Sequence, residues 1–112
     1  MPVGKLFAIG LPIALGVVMI GAGAVNFVGP KSVRDSFERW GYPAGFYRVT
    51  GGLEAIAGLL LLIPATSQAG AIGSVVILVA AVITLIRHRD WGHLPGAVVL
   101  IAAAVVAVAT RG

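Results

Sequence analysis

Apolar residues run along this chain in four long blocks, with polar residues gathered into the short segments between them. The blocks cover about residues 6–28, 46–63, 69–86 and 94–110. Each approaches the ~20 residues that a helix needs to cross the hydrocarbon core of a bilayer. Pro64 closes the second block, and Pro95 stands in the first turn of the fourth, where a missing N–H costs little. Short connections make sequential helices antiparallel neighbours, so the pattern predicts an all-α fold, an integral membrane up-down four-helix bundle. The first block is longer than the apolar core of a signal peptide. It therefore reads as a retained span, although Ala22-Gly23-Ala24 resembles a cleavage site.

The connection between the first two blocks has a pattern of its own. Ser32 and Asp35 form a variant of the capping box. Val33, Phe37 and Trp40 then share one helical face, while Arg34, Asp35, Glu38 and Arg39 point elsewhere, and Gly41 and Pro43 end the run. This predicts a short amphipathic helix over about 33–40, lying in the membrane interface. It serves either as a surface anchor or as a lid over a polar cavity.

Composition sharpens the class. Hydrophobic residues are 59% of the 112 and charged ones 11%, against roughly 25% charged in a soluble domain. Mean hydropathy is +1.04. That balance excludes a soluble enzyme, a disordered tail and a nucleic-acid-binding module, and the length allows one membrane domain over residues 1–112. The net charge of +4 bears on orientation instead. Lys31, Arg34, Arg39, Arg48, Arg87 and Arg89 belong to the side of the first and third connections, against Lys5 and Arg111 on the other. The excess predicts a multi-pass protein of the plasma or inner membrane, with both polar connections cytoplasmic and both termini outside. The chain has no cysteine, which excludes a disulfide, a thiol nucleophile and an iron–sulfur site.

Small residues mark the faces by which membrane helices meet. At 100° per residue, the inward stripes read Pro12, Gly16, Met19, Gly23 and Asn26 on the first span, and Tyr47, Gly51, Glu54, Ala55, Gly58 and Leu62 on the second. The third gives Gly70, Gly73, Ser74, Ile77, Ala81, Thr84 and His88, and the fourth Gly96, Ala103, Ala107 and Thr110. Glu54 lies eight residues into its span, roughly 12 Å at ~1.5 Å per residue, close to mid-membrane. An ionisable group there is a functional candidate by default, with a structural polar clamp as the plain alternative. Arg48 either snorkels to the interface or reaches inward to Glu54. Asn26 either caps the first span or joins the polar interior. Glu54, Arg48 and His88 are the expected chemical residues of one connected polar region near the cytoplasmic side. Asn26, Trp40, Tyr42, Tyr47 and Thr84 are the expected ligand contacts. His88, Asp90 and His93 crowd one short loop with only a distant Glu54 beside them, which is not zinc spacing, so no metal is expected. Haem is not expected either, because both histidines belong to one connection.

Phe37-x-x-Trp40-Gly41-Tyr42-Pro43, Phe46, Gly51-x-x-Glu54-x-x-x-Gly58 and Leu60-Leu61-Leu62-Ile63-Pro64 together resemble the small DoxX-like membrane proteins, as does Thr84-x-x-x-His88-x-Asp90. The resemblance covers nearly the whole chain. It implies a four-helix membrane bundle and an association with redox biology, since related DoxD-type proteins are subunits of a thiosulfate:quinone oxidoreductase. The expected partners are the bilayer, a quinone or other small lipophilic molecule, and a second copy of the chain or a partner redox subunit. Three functions stay open: a redox-linked quinone binder, a small membrane isomerase or hydrolase with Glu54 as general acid and base, and a purely structural membrane partner.

Overall fold

The computed structural model describes residues 3–111, with side chains over 8–110; the side chains of Lys5 and Arg111, used above for orientation, lie outside that range. Five α-helices follow one another: α1 (Val3–Val28), α2 (Lys31–Arg39), α3 (Phe46–Leu62), α4 (Ser67–Arg87) and α5 (Leu94–Arg111), with a 3-10 turn over Pro64–Thr66 between α3 and α4. No strand occurs among the described residues. The stretches Ala8–Val28 and Pro64–Arg87 are long and apolar enough to cross a membrane, and Leu94–Thr110 is a shorter apolar helix.

The four long helices form a ring in the order α1, α3, α4, α5, closing on α1, and α2 lies against α3. Sequential members of the ring run antiparallel. Gly29 at the end of α1 meets Tyr47 at the start of α3, Gly23 meets Gly51 and Ala55, and Gly16 meets Gly58. Glycine is required on this α1–α3 seam. A Cβ on Gly51 would stand 2.5 Å from the Gly23 carbonyl oxygen, and one on Gly58 would stand 2.7 Å from the Gly16 carbonyl oxygen. Backbone packing this close gives the two helices many van der Waals contacts along the seam. Leu15, Met19, Ala57, Leu61, Ala71, Leu78, Ala104 and Ala107 fill the interior.

Several boundaries differ from the sequence reading. α2 begins at Lys31 because Pro30, at φ −57°, precedes it as the cap residue, so Ser32 lies inside the helix. There its carbonyl accepts a hydrogen bond from Ser36 Oγ at 3.0 Å, and Asp35 pairs with Lys31 at 3.5 Å, one turn back. Asn26 does not cap α1, which runs on to Val28 and ends at Gly29 with φ +67°. On α5 the buried face carries Ala104 and Ala107, while Gly96 and Thr110 are exposed. The helix is rotated from the expected stripe because alanine and valine on all its sides make every face read alike.

The seam gives the first prediction. Gly51→Ala forces backbone apart and costs ~1–3 kcal/mol as an overpacking change. Gly52→Ala, where nothing lies within 4 Å of the added carbon, causes no loss of stability, since alanine is the better helix former. Thermal unfolding of the two variants in detergent reads the difference.

Candidate functional site

A cavity of about 400 Å³ lies between α3 and α4, roofed at one end by α2. That volume falls within the ~300–1,000 Å³ of small-molecule sites. Its wall is overwhelmingly apolar. α3 contributes Phe46, Thr50, Leu53 and Glu54, and α4 contributes Val76, Ile77, Ala80, Ala81, Thr84 and Leu85. The cavity exists because the two helices meet tightly at one end only. There Gly70 brings α4 onto the Ala57 and Leu61 backbone, and a Cβ on Gly70 would stand 2.6 Å from the Leu61 nitrogen. Toward the other end aromatic rings from α2 and its following turn fill the space. Phe37 is the buried centre of that group, with Trp40 at 5.2 Å, Tyr42 at 5.7 Å and Phe46 at 6.4 Å between ring centres. Tyr42 and Phe46 stack at 4.8 Å.

Polar groups stand at two levels. At the inner level Asn26 Nδ2 donates to Glu54 Oε1 at 2.5 Å, across the α1–α3 seam. Glu54 is only 8% exposed, and no cation among the described residues lies in ion-pair reach of it. At the outer level Thr84 Oγ1 donates to the Ala80 carbonyl one turn back at 2.9 Å. Its single hydrogen is thereby used, so the Tyr42 hydroxyl donates to Thr84 Oγ1, at 2.5 Å.

Two matching helix ends place the outer groups. α2 stops with Gly41 at φ +83°, the Gly41 N–H bonded to the Glu38 carbonyl and the Tyr42 N–H to the Phe37 carbonyl. α4 stops the same way, with Arg89 at φ +52°, its N–H on the Ile86 carbonyl and the Asp90 N–H on the Leu85 carbonyl. Both are Schellman turns. They present Tyr42 and Asp90 at equivalent positions at the roofed end of the cavity. Arg39 Nη2 donates to Asp90 Oδ2 at 3.1 Å, tying α2 to the α4–α5 connection, and His93 Nδ1 donates to Asp90 Oδ1 at 2.9 Å. Partial burial works to raise the Asp90 carboxyl pKa. Hydrogen bonds from His93 and Arg39, with the charge of His93, outweigh burial and hold it below the ordinary value; the buried Trp40 indole N–H, short of a closed hydrogen bond, adds a weaker pull.

Of the residues singled out from sequence, Glu54, Asn26, Trp40, Tyr42 and Thr84 meet at this cavity, and Arg48, His88 and Tyr47 do not. Arg48 is exposed, because six residues before Glu54 turn it to another side of α3, where it lies 5.7 Å over the Tyr47 ring. His88 is exposed as the cap residue that follows Arg87, the last residue of α4. Tyr47 packs on Gly29 and lines a separate surface groove beside α2. So the expected joint site of Glu54, Arg48 and His88 does not form. The cavity instead gains Thr50, Phe37, Phe46 and His93. Thr50 was legible as the residue one turn before Glu54; His93 carried no signal beyond its place in the loop.

A model of the DoxX-like family matches residues 11–108. The chain belongs to the DoxX-like family. No curated protein and no solved structure matches it. Family and apolar helices together mark this DoxX-like protein as a membrane protein.

The ion pair yields a prediction with a definite sign. A carboxyl held below its ordinary value contributes stability at pH above that value, near 3.9, and loses it as pH falls through the depressed one. The melting-temperature difference between this DoxX-like protein and its Asp90→Asn variant should be positive at neutral pH. It should shrink toward zero as pH falls through that depressed value.

Proposed function

We propose that this DoxX-like protein spans the membrane four times and binds a small lipophilic molecule, a quinone above all, in the cavity between α3 and α4, as a redox-associated subunit. The observation that carries the reading is an apolar cavity with one buried acid at its inner level and hydroxyls at its outer level, open where Leu53, Val76 and Ala80 are themselves exposed. In a bilayer those residues face acyl chains, so a hydrophobic ligand enters sideways from the lipid. Phe37, Phe46 and Trp40 offer flat surfaces to a ring, Tyr42 and Thr84 offer polar contacts, and Glu54 donates or accepts a proton. The protein has no cysteine for thiol redox chemistry, so electrons come from a partner redox subunit.

Four spans are supported by the outward faces of the two shorter helices. Val49, Leu53, Ile56 and Leu59 on α3 and Val98, Val99, Val105 and Val106 on α5 are all exposed. Water would make that arrangement costly, and lipid makes it favourable. The 17 residues of α3 extend roughly 26 Å, most of the hydrocarbon core. Lys31, Arg34, Arg39, Arg48, Arg87 and Arg89 are exposed at the α2 end, which the charge rule puts in the cytoplasm. A reporter fused at residue 112 should then be active only outside the cytoplasm.

Binding is tested by quenching of tryptophan fluorescence with decylbenzoquinone in lipid nanodiscs. Ala81→Phe fills the cavity and should weaken binding roughly tenfold or more, about 1.4 kcal/mol, with no loss of thermal stability. Retained affinity in that variant would remove the cavity as the site. Glu54→Gln should melt like the wild type and lose ligand-linked proton uptake, because an amide does not titrate. Glu54→Leu should also destabilise by ~1–3 kcal/mol, leaving the Asn26 amide without its acceptor. Full proton coupling in the Gln variant would leave Glu54 a structural clamp.

A further inference from the structure

His93 joins the cavity from a segment that the proposed chemistry leaves unused. It opens the last turn before α5, its side chain is 63% exposed, and it is among the residues that line the cavity, at the end roofed by α2. The ring is oriented on two sides. Asp90 Oδ1 holds Nδ1 at 2.9 Å, and the Trp40 ring meets it edge-on, with centroids 6.4 Å apart and planes at 88°. Asp90 cannot swing away readily, because its other oxygen is held by Arg39 and its backbone N–H closes the turn on Leu85.

An ionised carboxylate only accepts hydrogen bonds, so the hydrogen of a neutral His93 ring sits on Nδ1 and Nε2 is left as a bare acceptor on the opposite edge. Carboxylates orient imidazoles in this way wherever the second ring nitrogen has work to do. Among the described residues Nε2 has no hydrogen-bond partner. We propose that His93 is a ligand-recognition residue: Nε2 accepts a hydrogen bond from a hydroxyl on the head of the molecule in the cavity, with Asp90 and Arg39 as its positioning residues. The site therefore takes a lipophilic phenol or alcohol in preference to the corresponding ether. This rests on the cavity being the ligand site.

The test is equilibrium binding of decylhydroquinone and of its dimethyl ether, measured anaerobically on the full chain in phosphatidylcholine nanodiscs. The two probes share shape and apolar area and differ in the hydrogen that a hydroxyl donates. The wild type should prefer the hydroquinone by roughly tenfold, the scale of one buried hydrogen bond. His93→Phe should bind the ether as the wild type does and lose the preference. His93→Gln, which keeps an acceptor, should retain part of it. Asp90→Asn should narrow the preference and, in nitrogen NMR of the histidine ring, lose the single Nδ1–H tautomer, a signature that a merely structural Asp90 would not affect. Equal binding of both probes by the wild type overturns the proposal, as does a preference that survives His93→Phe. Failure of both probes to bind at all overturns the cavity reading and this inference together.

Discussion

The backbones of α1 and α3 touch because glycine stands on both sides of the contact, and the rest of the structure is arranged around that seam. Gly16 and Gly58, then Gly23 and Gly51, bring carbonyl oxygens within 2.8 Å of where side chains would begin. One turn beyond Gly23 the same closeness brings the Asn26 amide onto the Glu54 carboxyl. A helix separation set by larger side chains, commonly ~8–10 Å, would leave that short amide out of reach. The carboxyl would then face an apolar interior with nothing to hydrogen-bond, a costly state in a membrane. The packing motif and the polar pair are thus one device: close approach supplies cohesion and also lets an acid be kept inside.

At the other end of the cavity the organising element is the helix terminus. α2 and α4 end in the same kind of turn, with Gly41 and Arg89 left-handed, and each turn places its next residue, Tyr42 or Asp90, at the roofed end. The Arg39–Asp90 pair joins the two ends, which are far apart in sequence. The inner level of the cavity depends on helix packing and the outer level on helix capping, so each can be altered while the other stands.

Much of this was legible in the sequence, for identifiable reasons. The stripes on α1 and α3 survive because glycine and alanine alternate there with large aliphatic residues, which gives one face a clear identity. Glu54 stands out because a charge in an apolar run has few places to go. The amphipathic helix is plain in Val33, Phe37 and Trp40, and Phe37 is indeed its buried anchor. What escaped has physical causes. α5 is built from alanine and valine, so its phase is degenerate. The end of α4 rests on an arginine in a conformation usually given to glycine, which no propensity announces. That turn brings Asp90 and His93 to the roofed end of the cavity, while His88, the last residue of the inward stripe, stays exposed.

Four packed helices enclose little space, and this bundle gains a cavity without widening. α3 and α4 are fixed at one end by the turn over Pro64–Thr66 and by Gly70, so their opposite ends are the ones free to stand apart. Side chains from outside the ring then enter that gap. Phe37 comes from α2, and Trp40 and Tyr42 follow from its terminal turn. The rings that dock α2 onto the bundle are therefore the rings that roof the cavity. Filling the cavity and seating α2 draw on the same contacts, and a ligand touching the aromatic roof is coupled to α2.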